Sequence, residues 1–170
     1  MKTEVGSFRL NKDVLSKLKK EAESEKLSLN SLVNKVLETH VNWHSHAAKI
    51  GIVPISSEVI KELFKNMTDD ALKKLARKNA AIISEDLLLL RNEDTLDAFL
   101  DLAQDYFGIC GFPFSIREKD GNFRITVKHT LGKKYSLYIE EMVKIKIYDY
   151  TKEKPDVTST SNTITLSLNK

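Results

Sequence analysis

The sequence predicts an α+β protein built in two parts, and three observations lead to that prediction. Residues 4–10 alternate in polarity like a strand, and two stretches with helical periodicity follow them. Helical periodicity then returns between residues 56 and 107. From Phe112 the period becomes strand-like around Asp120-Gly121, a strong hairpin signal. We therefore expect an N-terminal domain over 1–45, a linker over 46–54 and an α+β domain over 55–170.

Composition indicates a globular intracellular protein. Of the 170 residues, 41% are apolar, which is enough for an ordinary core, and the formal net charge is +3. This mildly basic balance permits nucleic-acid binding without arguing for it. Because Cys110 is the single cysteine and no secretory signal or membrane-length apolar run is recognised, we expect a soluble protein of the reducing cytoplasm.

The first predicted element is a strand over residues 4–10. Val5, Ser7 and Arg9 fall on one side of it, and Gly6, Phe8 and Leu10 fall on the other. A short amphipathic strand at a chain terminus is not stable alone, and helices follow it rather than a pairing strand. We therefore expect it to pair with the same strand of a second subunit.

Two amphipathic helices come next. Asn11 is a good N-cap for a helix from about Lys12 to Ser24. After a break at residues 25–27, either Ser28 or Asn30 can cap a second helix that runs to about Asn42.

The strand, helix, turn and helix together resemble the ribbon-helix-helix superfamily of DNA-binding proteins, of the Arc/MetJ/CopG type. The resemblance covers residues 3–43 and is carried by VGSFRLNKDVLSKLKKEAESEKLSLNSLVNKVLETHV. It implies an obligate intertwined dimer whose two strands form an antiparallel ribbon in the major groove of DNA. Family members commonly have glycine in the turn between the helices, where this chain has Lys26, so Lys26 is expected to adopt a positive φ.

The resemblance also implies two sets of DNA-contacting residues. The base-contacting set corresponds to Val5, Ser7 and Arg9. The phosphate-contacting set corresponds to the N-terminus of the second helix, with residues Ser28, Leu29, Asn30 and Ser31.

Chemistry on the proposed groove face agrees with that implication. An arginine such as Arg9 can bind O6 and N7 of guanine in a bidentate fork, and Ser7 can donate or accept a hydrogen bond. Val5 could contact a thymine methyl group or pack at the end of the ribbon. The alternative is a solvent-exposed edge strand whose arginine is incidental.

In the second domain, polar caps start a series of predicted helices. Helices are expected after Ser56-Ser57, Thr68 and Thr95, with a further start at Ser84-Glu85-Asp86. The helix that begins after Thr95 should end at Gly108 or Gly111.

A hairpin, a long helix and a C-terminal strand complete the predicted domain. Strands over 114–118 and 123–129 flank Asp120-Gly121, and Thr130 can cap a helix from about Leu131 to Tyr150. The tail from Val157 to Leu168 alternates well enough for one final strand. We therefore expect a three-stranded antiparallel sheet with helices on one face.

Candidates for metal binding or catalysis are few. His40 and His44 are four residues apart, on one face if the helix continues that far, and His46 follows. We weigh a metal site there against ordinary polar residues at a helix end and favour the latter. Carboxylate pairs fall at helix starts or on polar faces, and no catalytic motif is found. We expect neither an enzyme nor a bound cofactor.

These features predict a dimeric, sequence-specific transcriptional regulator of prokaryotic type, located in the cytoplasm on the nucleoid. Its partners would be double-stranded DNA and a second copy of the chain, with ligand sensing or higher assembly assigned to the C-terminal domain. Two alternatives are an antitoxin that also represses its own operon and an architectural DNA-binding protein. The operator, the regulated genes and any effector are left open.

Overall fold

The chain folds into two compact units, residues 1–48 and 49–170. The computed structural model describes residues 4–47, 49–119 and 122–168. Within those residues, no helix has both the length and the apolar character needed to cross a membrane. The unit boundary falls inside the segment 46–54; the role of that segment as a linker stays a prediction.

The N-terminal unit begins its first helix where local chemistry predicts. Helix α1 spans Lys12–Glu25, and Oδ1 of Asn11 accepts a hydrogen bond of 2.8 Å from the N–H of Asp13. The helix closes at Lys26, which has a left-handed φ of 57°, and the N–H of Leu27 bonds the carbonyl of Ala22 at 2.9 Å. The positive φ predicted for Lys26 is confirmed.

The second helix starts as predicted but extends further. Helix α2 spans Leu29–Thr39, and Oγ of Ser28 caps it by accepting from the N–H of Ser31 at 3.1 Å. A π-helical turn over His40–His44 and a short helix α3 over Ser45–Ala47 continue the run past Asn42. Trp43, in the π-helical turn, is buried.

Three helices open the C-terminal unit, and a hydroxyl side chain caps each of them. Helix α4 spans Ser57–Lys65, α5 spans Asp69–Arg91 and α6 spans Leu96–Ile109. Their caps are Ser56, Thr68 and Thr95, as predicted. The prediction of a separate helix from Ser84 is wrong, because α5 runs through that position without a break. The Ser84 side chain instead accepts a hydrogen bond of 2.5 Å from Nζ of Lys146.

The predicted hairpin and long helix are present, with shifted boundaries. Strand β1 (Phe114–Lys119) pairs antiparallel with β2 (Asn122–Lys128), and Lys119 lies opposite Asn122. The intervening Asp120-Gly121 lies outside the described residues. Helix α7 spans Lys133–Thr151, and its N-cap is Gly132 rather than Thr130. The reason is local: Nδ1 of the buried His129 holds the N–H of Leu131, so the chain is not yet helical there.

The C-terminal tail forms a hairpin instead of the single strand that was expected. Strand β3 (Asp156–Ser159) pairs antiparallel with β4 (Thr163–Leu168). In the turn between them, the hydroxyl of Thr160 accepts hydrogen bonds from the N–H groups of Asn162 and Thr163 at 3.3 and 3.1 Å. The sheet therefore has four strands rather than three, in the order β1-β2-β4-β3.

One face of this sheet forms the core of the C-terminal unit. Ile125 lies opposite Leu166, and Val127 lies opposite Ile164; all four side chains are buried. Residues of α5, α6 and α7 pack against that face, including Ala80, Phe107 and Ile139. The mixture of helices and one antiparallel sheet confirms the α+β class.

Candidate nucleic-acid interface

The segment expected to read DNA forms neither helix nor strand in the single chain. Residues 4–10 are all exposed, with Val5 at 99% and Phe8 at 73% of their possible exposure. A strand acquires regular structure only when a second edge supplies N–H and C=O partners. The described part of the single chain offers no such edge at this segment, so the pairing with a second copy stays a prediction.

Gly6 makes room for the aromatic ring of Phe8. A Cβ atom at position 6 would lie 3.3 Å from Cζ of Phe8, which is a tight contact. The ring therefore lies beside Gly6, on the side of the segment assigned to the core. The alternating pattern offers no explanation for a glycine at this position, since the contact depends on the orientation of a side chain two residues away.

The three predicted base-contacting residues are accessible, and the arginine among them is unpaired in the described part of the chain. Val5, Ser7 and Arg9 are all exposed. Across the described part of the chain, Arg9 takes part in none of the ion pairs. Its five N–H donors are therefore available to an external acceptor such as a guanine edge or a phosphate.

The predicted phosphate-contacting residues surround the first turn of α2. Oγ of Ser28 lies 3.1 Å from the N–H of Ser31 and 2.7 Å from its hydroxyl oxygen. The first N–H groups of a helix have no partner within the helix, and the helix dipole makes this end positive. No acidic side chain occupies the first turn of α2, whereas α1, α4, α5 and α6 each have at least one there. An external anion would meet no carboxylate on this turn.

The two sets of residues are separated within one chain. The first set precedes α1, the second follows its C-terminal end, and a helix of this length extends for about 20 Å. The structure does not bring the sets together in a single chain.

The N-terminal unit leaves most of its apolar surface uncovered. Its buried apolar residues, among those described, are Ala22, Leu32 and Trp43. The exposed ones lie on the predicted strand, on both helices, in the turn between them and in the π-helical turn: Val5, Phe8, Leu10, Val14, Leu27, Val36, Leu37 and Val41. Three buried side chains form a very small core for a unit of this length. The exposed apolar residues are those a second chain could cover.

The histidines do not converge into a metal centre. The rings of His40 and His44 lie 6.4 Å apart between centroids, and both residues are exposed, while His46 is half-buried. Over the ranges 4–47, 49–119 and 122–168, no group of three His, Cys, Asp or Glu residues could hold a metal ion.

The most buried polar groups, which the sequence patterns did not indicate, lie in the C-terminal unit. Nε2 of His129 is 2.9 Å from Oγ of Ser136, and its Nδ1 accepts from the N–H of Leu131 at 3.1 Å. Burial lowers the pKa of this imidazole. Both ring nitrogens are satisfied within the protein, so this histidine has a structural role.

The second buried polar group is the side-chain amine of Lys146. Nζ of Lys146 donates to Ser84 at 2.5 Å and to Asp94 at 3.2 Å, and it lies 4.4 Å from the centre of the Tyr150 ring. Tyr150 also donates a hydrogen bond to Asp94. Burial raises the pKa of Asp94, but the hydrogen bonds from Tyr150, Ser84 and Lys146 outweigh it, so the pKa lies below its usual value. Only the folded chain brings these residues together, because Asp94 and Lys146 are far apart in sequence.

Comparison of the chain with protein-family models, with curated proteins and with solved structures finds no match.

Proposed function

We propose that this protein is a dimeric, sequence-specific DNA-binding transcriptional regulator. Residues 4–10 of two chains would pair into an antiparallel ribbon that enters the major groove. The observation that carries this proposal is the combination of an exposed, alternating segment with an uncovered apolar surface in the same small unit.

Dimerisation supplies the core that one N-terminal unit lacks. A second copy would cover Phe8 and Leu10 of the segment together with Val14, Val36 and Val41 of the helices. Each Å² of apolar surface removed from water stabilises the assembly by about 25 cal/mol. The same pairing gives the backbone N–H and C=O groups of residues 4–10 their hydrogen-bond partners.

The face of the ribbon opposite Phe8 would read the bases. Arg9 would form the bidentate contact with guanine, Ser7 would donate or accept, and Val5 would contact a thymine methyl group or close the end of the ribbon. Twofold symmetry presents each residue twice, so the preferred site is a short inverted repeat.

The first turn of α2 would hold the phosphates on either side of the ribbon. The N–H groups of Leu29 and Asn30, with the hydroxyls of Ser28 and Ser31, provide hydrogen-bond donors at the positive end of the helix. Such contacts fix the orientation of the protein on DNA without specifying sequence.

The C-terminal unit supports a regulator better than an antitoxin. Antitoxin tails that wrap a toxin are typically disordered until they bind, whereas this unit has a buried core between its sheet and helices. We assign it to effector sensing or further assembly. The regulator would act in the cytoplasm on the nucleoid.

Selection of bound duplexes from a random pool tests the proposal with the full-length protein. We expect enrichment of one short inverted repeat, bound at least about a hundredfold more tightly than scrambled sequence at physiological salt. An architectural protein would enrich no sequence, and its affinity for all duplexes would fall alike with added salt, since nonspecific binding is mainly counterion release.

A further inference from the structure

Helix α5 exposes a narrow apolar stripe in the C-terminal unit. Its members are Leu75, Ile82 and Leu89, which are 36%, 39% and 67% exposed. Residues spaced seven apart drift by only about 20° around a helix from one to the next, so the three side chains lie nearly in line. A different side of α5 contributes Leu72, Ala76, Ala80 and Leu87 to the core. The stripe therefore points away from the core of its own unit.

Two opposite charges flank the centre of the stripe. Lys78 lies one turn before Ile82, Glu85 lies one turn after it, and both are exposed. Neither takes part in an ion pair within the part of the chain that the structure describes. Along this face the helix is thus basic before Ile82 and acidic after it.

We propose that the α5 stripe is the contact surface for a second copy of this chain, packed antiparallel with a twofold axis at Ile82. In that arrangement Leu75 faces Leu89 of the partner subunit, and Ile82 faces its own copy. Lys78 approaches Glu85 of the partner subunit, and the symmetric contact repeats the pair.

Charge complementarity selects both the occupant and its direction. A parallel twofold pair would place the two copies of Lys78 on opposite flanks of the contact, and likewise the two copies of Glu85, so neither charge would meet its opposite. The antiparallel pair instead brings Lys78 and Glu85 of the partner subunit together on the same flank, while it keeps the apolar residues in register. A twofold arrangement of this kind closes on itself and buries the same surface on both chains.

The α5 contact is independent of DNA binding by the N-terminal unit. If both contacts form and join different pairs of chains, the assembly contains four chains and carries two DNA-binding ribbons. The α5 contact would then set the spacing between those ribbons.

Cysteine cross-linking of the full-length protein tests the geometry directly, in a Cys110→Ser background. Ile82→Cys should form an intermolecular disulfide under mild oxidation, because a twofold axis at this position brings the two β-carbons close. Leu89→Cys alone should not, since the two copies would be about 21 Å apart along antiparallel helices. Leu75→Cys combined with Leu89→Cys should cross-link again. A disulfide from Leu89→Cys alone, or none from Ile82→Cys, would overturn the proposal.

Charge exchange tests the partner assignment by a second route. Lys78→Glu and Glu85→Lys should each weaken self-association at least fivefold in sedimentation equilibrium, and the double variant should restore it. If the double variant is weaker than either single variant, the antiparallel pairing is wrong. If Ile82→Asp leaves self-association unchanged, the stripe faces its own chain or another protein, and the proposal fails.

The same measurements separate this inference from the proposed function. Phe8→Asp should abolish the N-terminal dimer, yet the disulfide from Ile82→Cys should still form in that variant. Loss of the disulfide together with the N-terminal dimer would show that α5 is not an independent contact and would overturn the inference. Loss of operator preference alone would concern the proposed function only.

Discussion

Two buried polar residues, His129 and Lys146, explain how the C-terminal unit tolerates polar groups in its interior. The hydrogen-bond partners of His129 are close to it in sequence, whereas those of Lys146 come from more than 50 residues earlier in the chain. A buried polar group without a partner costs about 1–3 kcal/mol, so these contacts specify one packing of the core. Both residues therefore offer measurable tests of the fold.

The neutral imidazole of His129 makes stability depend on pH. Burial lowers its pKa in the folded state below the usual 6.5. As pH falls through about 6.5, the unfolded chain takes up a proton that the folded chain does not, and stability is lost until the folded pKa is reached. We expect the urea midpoint of unfolding to fall between pH 7.5 and 5.5 in the native protein and to fall less in His129→Gln. Equal decreases would contradict a neutral buried histidine.

Removing the partner of Lys146 should destabilise the fold more than removing an exposed carboxylate. Breaking a fully buried pair costs about 3–5 kcal/mol. The side chain of Asp94 keeps 26% of its exposure, so we expect Asp94→Ala to lower the free energy of unfolding by about 2 kcal/mol. Glu153→Ala, at an exposed loop position, is the matched control and should change it by less than about 0.5 kcal/mol. Similar effects for the two variants would show that the Lys146 contacts do not stabilise the fold.

Among the elements, the starts of five helices were predictable, whereas the start of α7 and the interior of α5 were not. Asn11, Ser28, Ser56, Thr68 and Thr95 cap helices as expected, because an N-cap bonds an N–H only two or three residues away. Ser84 has the same local signature, but its hydroxyl accepts from Lys146 in another helix. Such a contact between distant residues has no local pattern.

The strands show the same limit. Alternation and Asp120-Gly121 predicted the first hairpin, since its partners are adjacent in sequence. The sequence predicts one strand from Val157 to Leu168, because residues 158–163 are all Thr, Ser or Asn and contain no Gly or Pro to mark the turn. For the candidate site, alternation places Val5, Ser7 and Arg9 on one face of the segment. The proposed strand pairing needs the N–H and C=O groups of a second chain, and no pattern within one sequence specifies such a partner.

Glycine substitutions separate a strained cap from an ordinary helix position. Gly132 has φ of 83° and ψ of 175°, a region that residues with a side chain rarely enter. We expect Gly132→Ala to lower the free energy of unfolding by about 1–3 kcal/mol. A β-carbon added to Gly108, within α6, would meet no atom of the described residues within 4 Å. Gly108→Ala should therefore raise the free energy of unfolding by about 0.5–1 kcal/mol. Thermal unfolding of both variants checks the pair, and the opposite order would contradict the assigned roles.

For the whole molecule, the proposed dimer depends on the apolar side of residues 4–10. Phe8→Asp would place an unpaired charge in the ribbon core, which favours separated chains. We expect this variant to lose the N-terminal dimer in light scattering while the fold of the C-terminal unit persists. Ser7→Asp, on the opposite side, is the control and should leave the dimer intact. If Phe8→Asp and the control behave alike, the apolar side is not an interface.

Equilibrium binding of Arg9→Lys to the selected operator and to scrambled duplex tests the central claim most directly. Lysine keeps the positive charge but lacks the bidentate fork that distinguishes guanine, a difference of about 1–3 kcal/mol per contact. We predict that affinity for the operator falls at least tenfold, that affinity for scrambled duplex stays within twofold, and that the dimer persists. Unchanged preference for the operator would contradict the claim that this ribbon reads DNA.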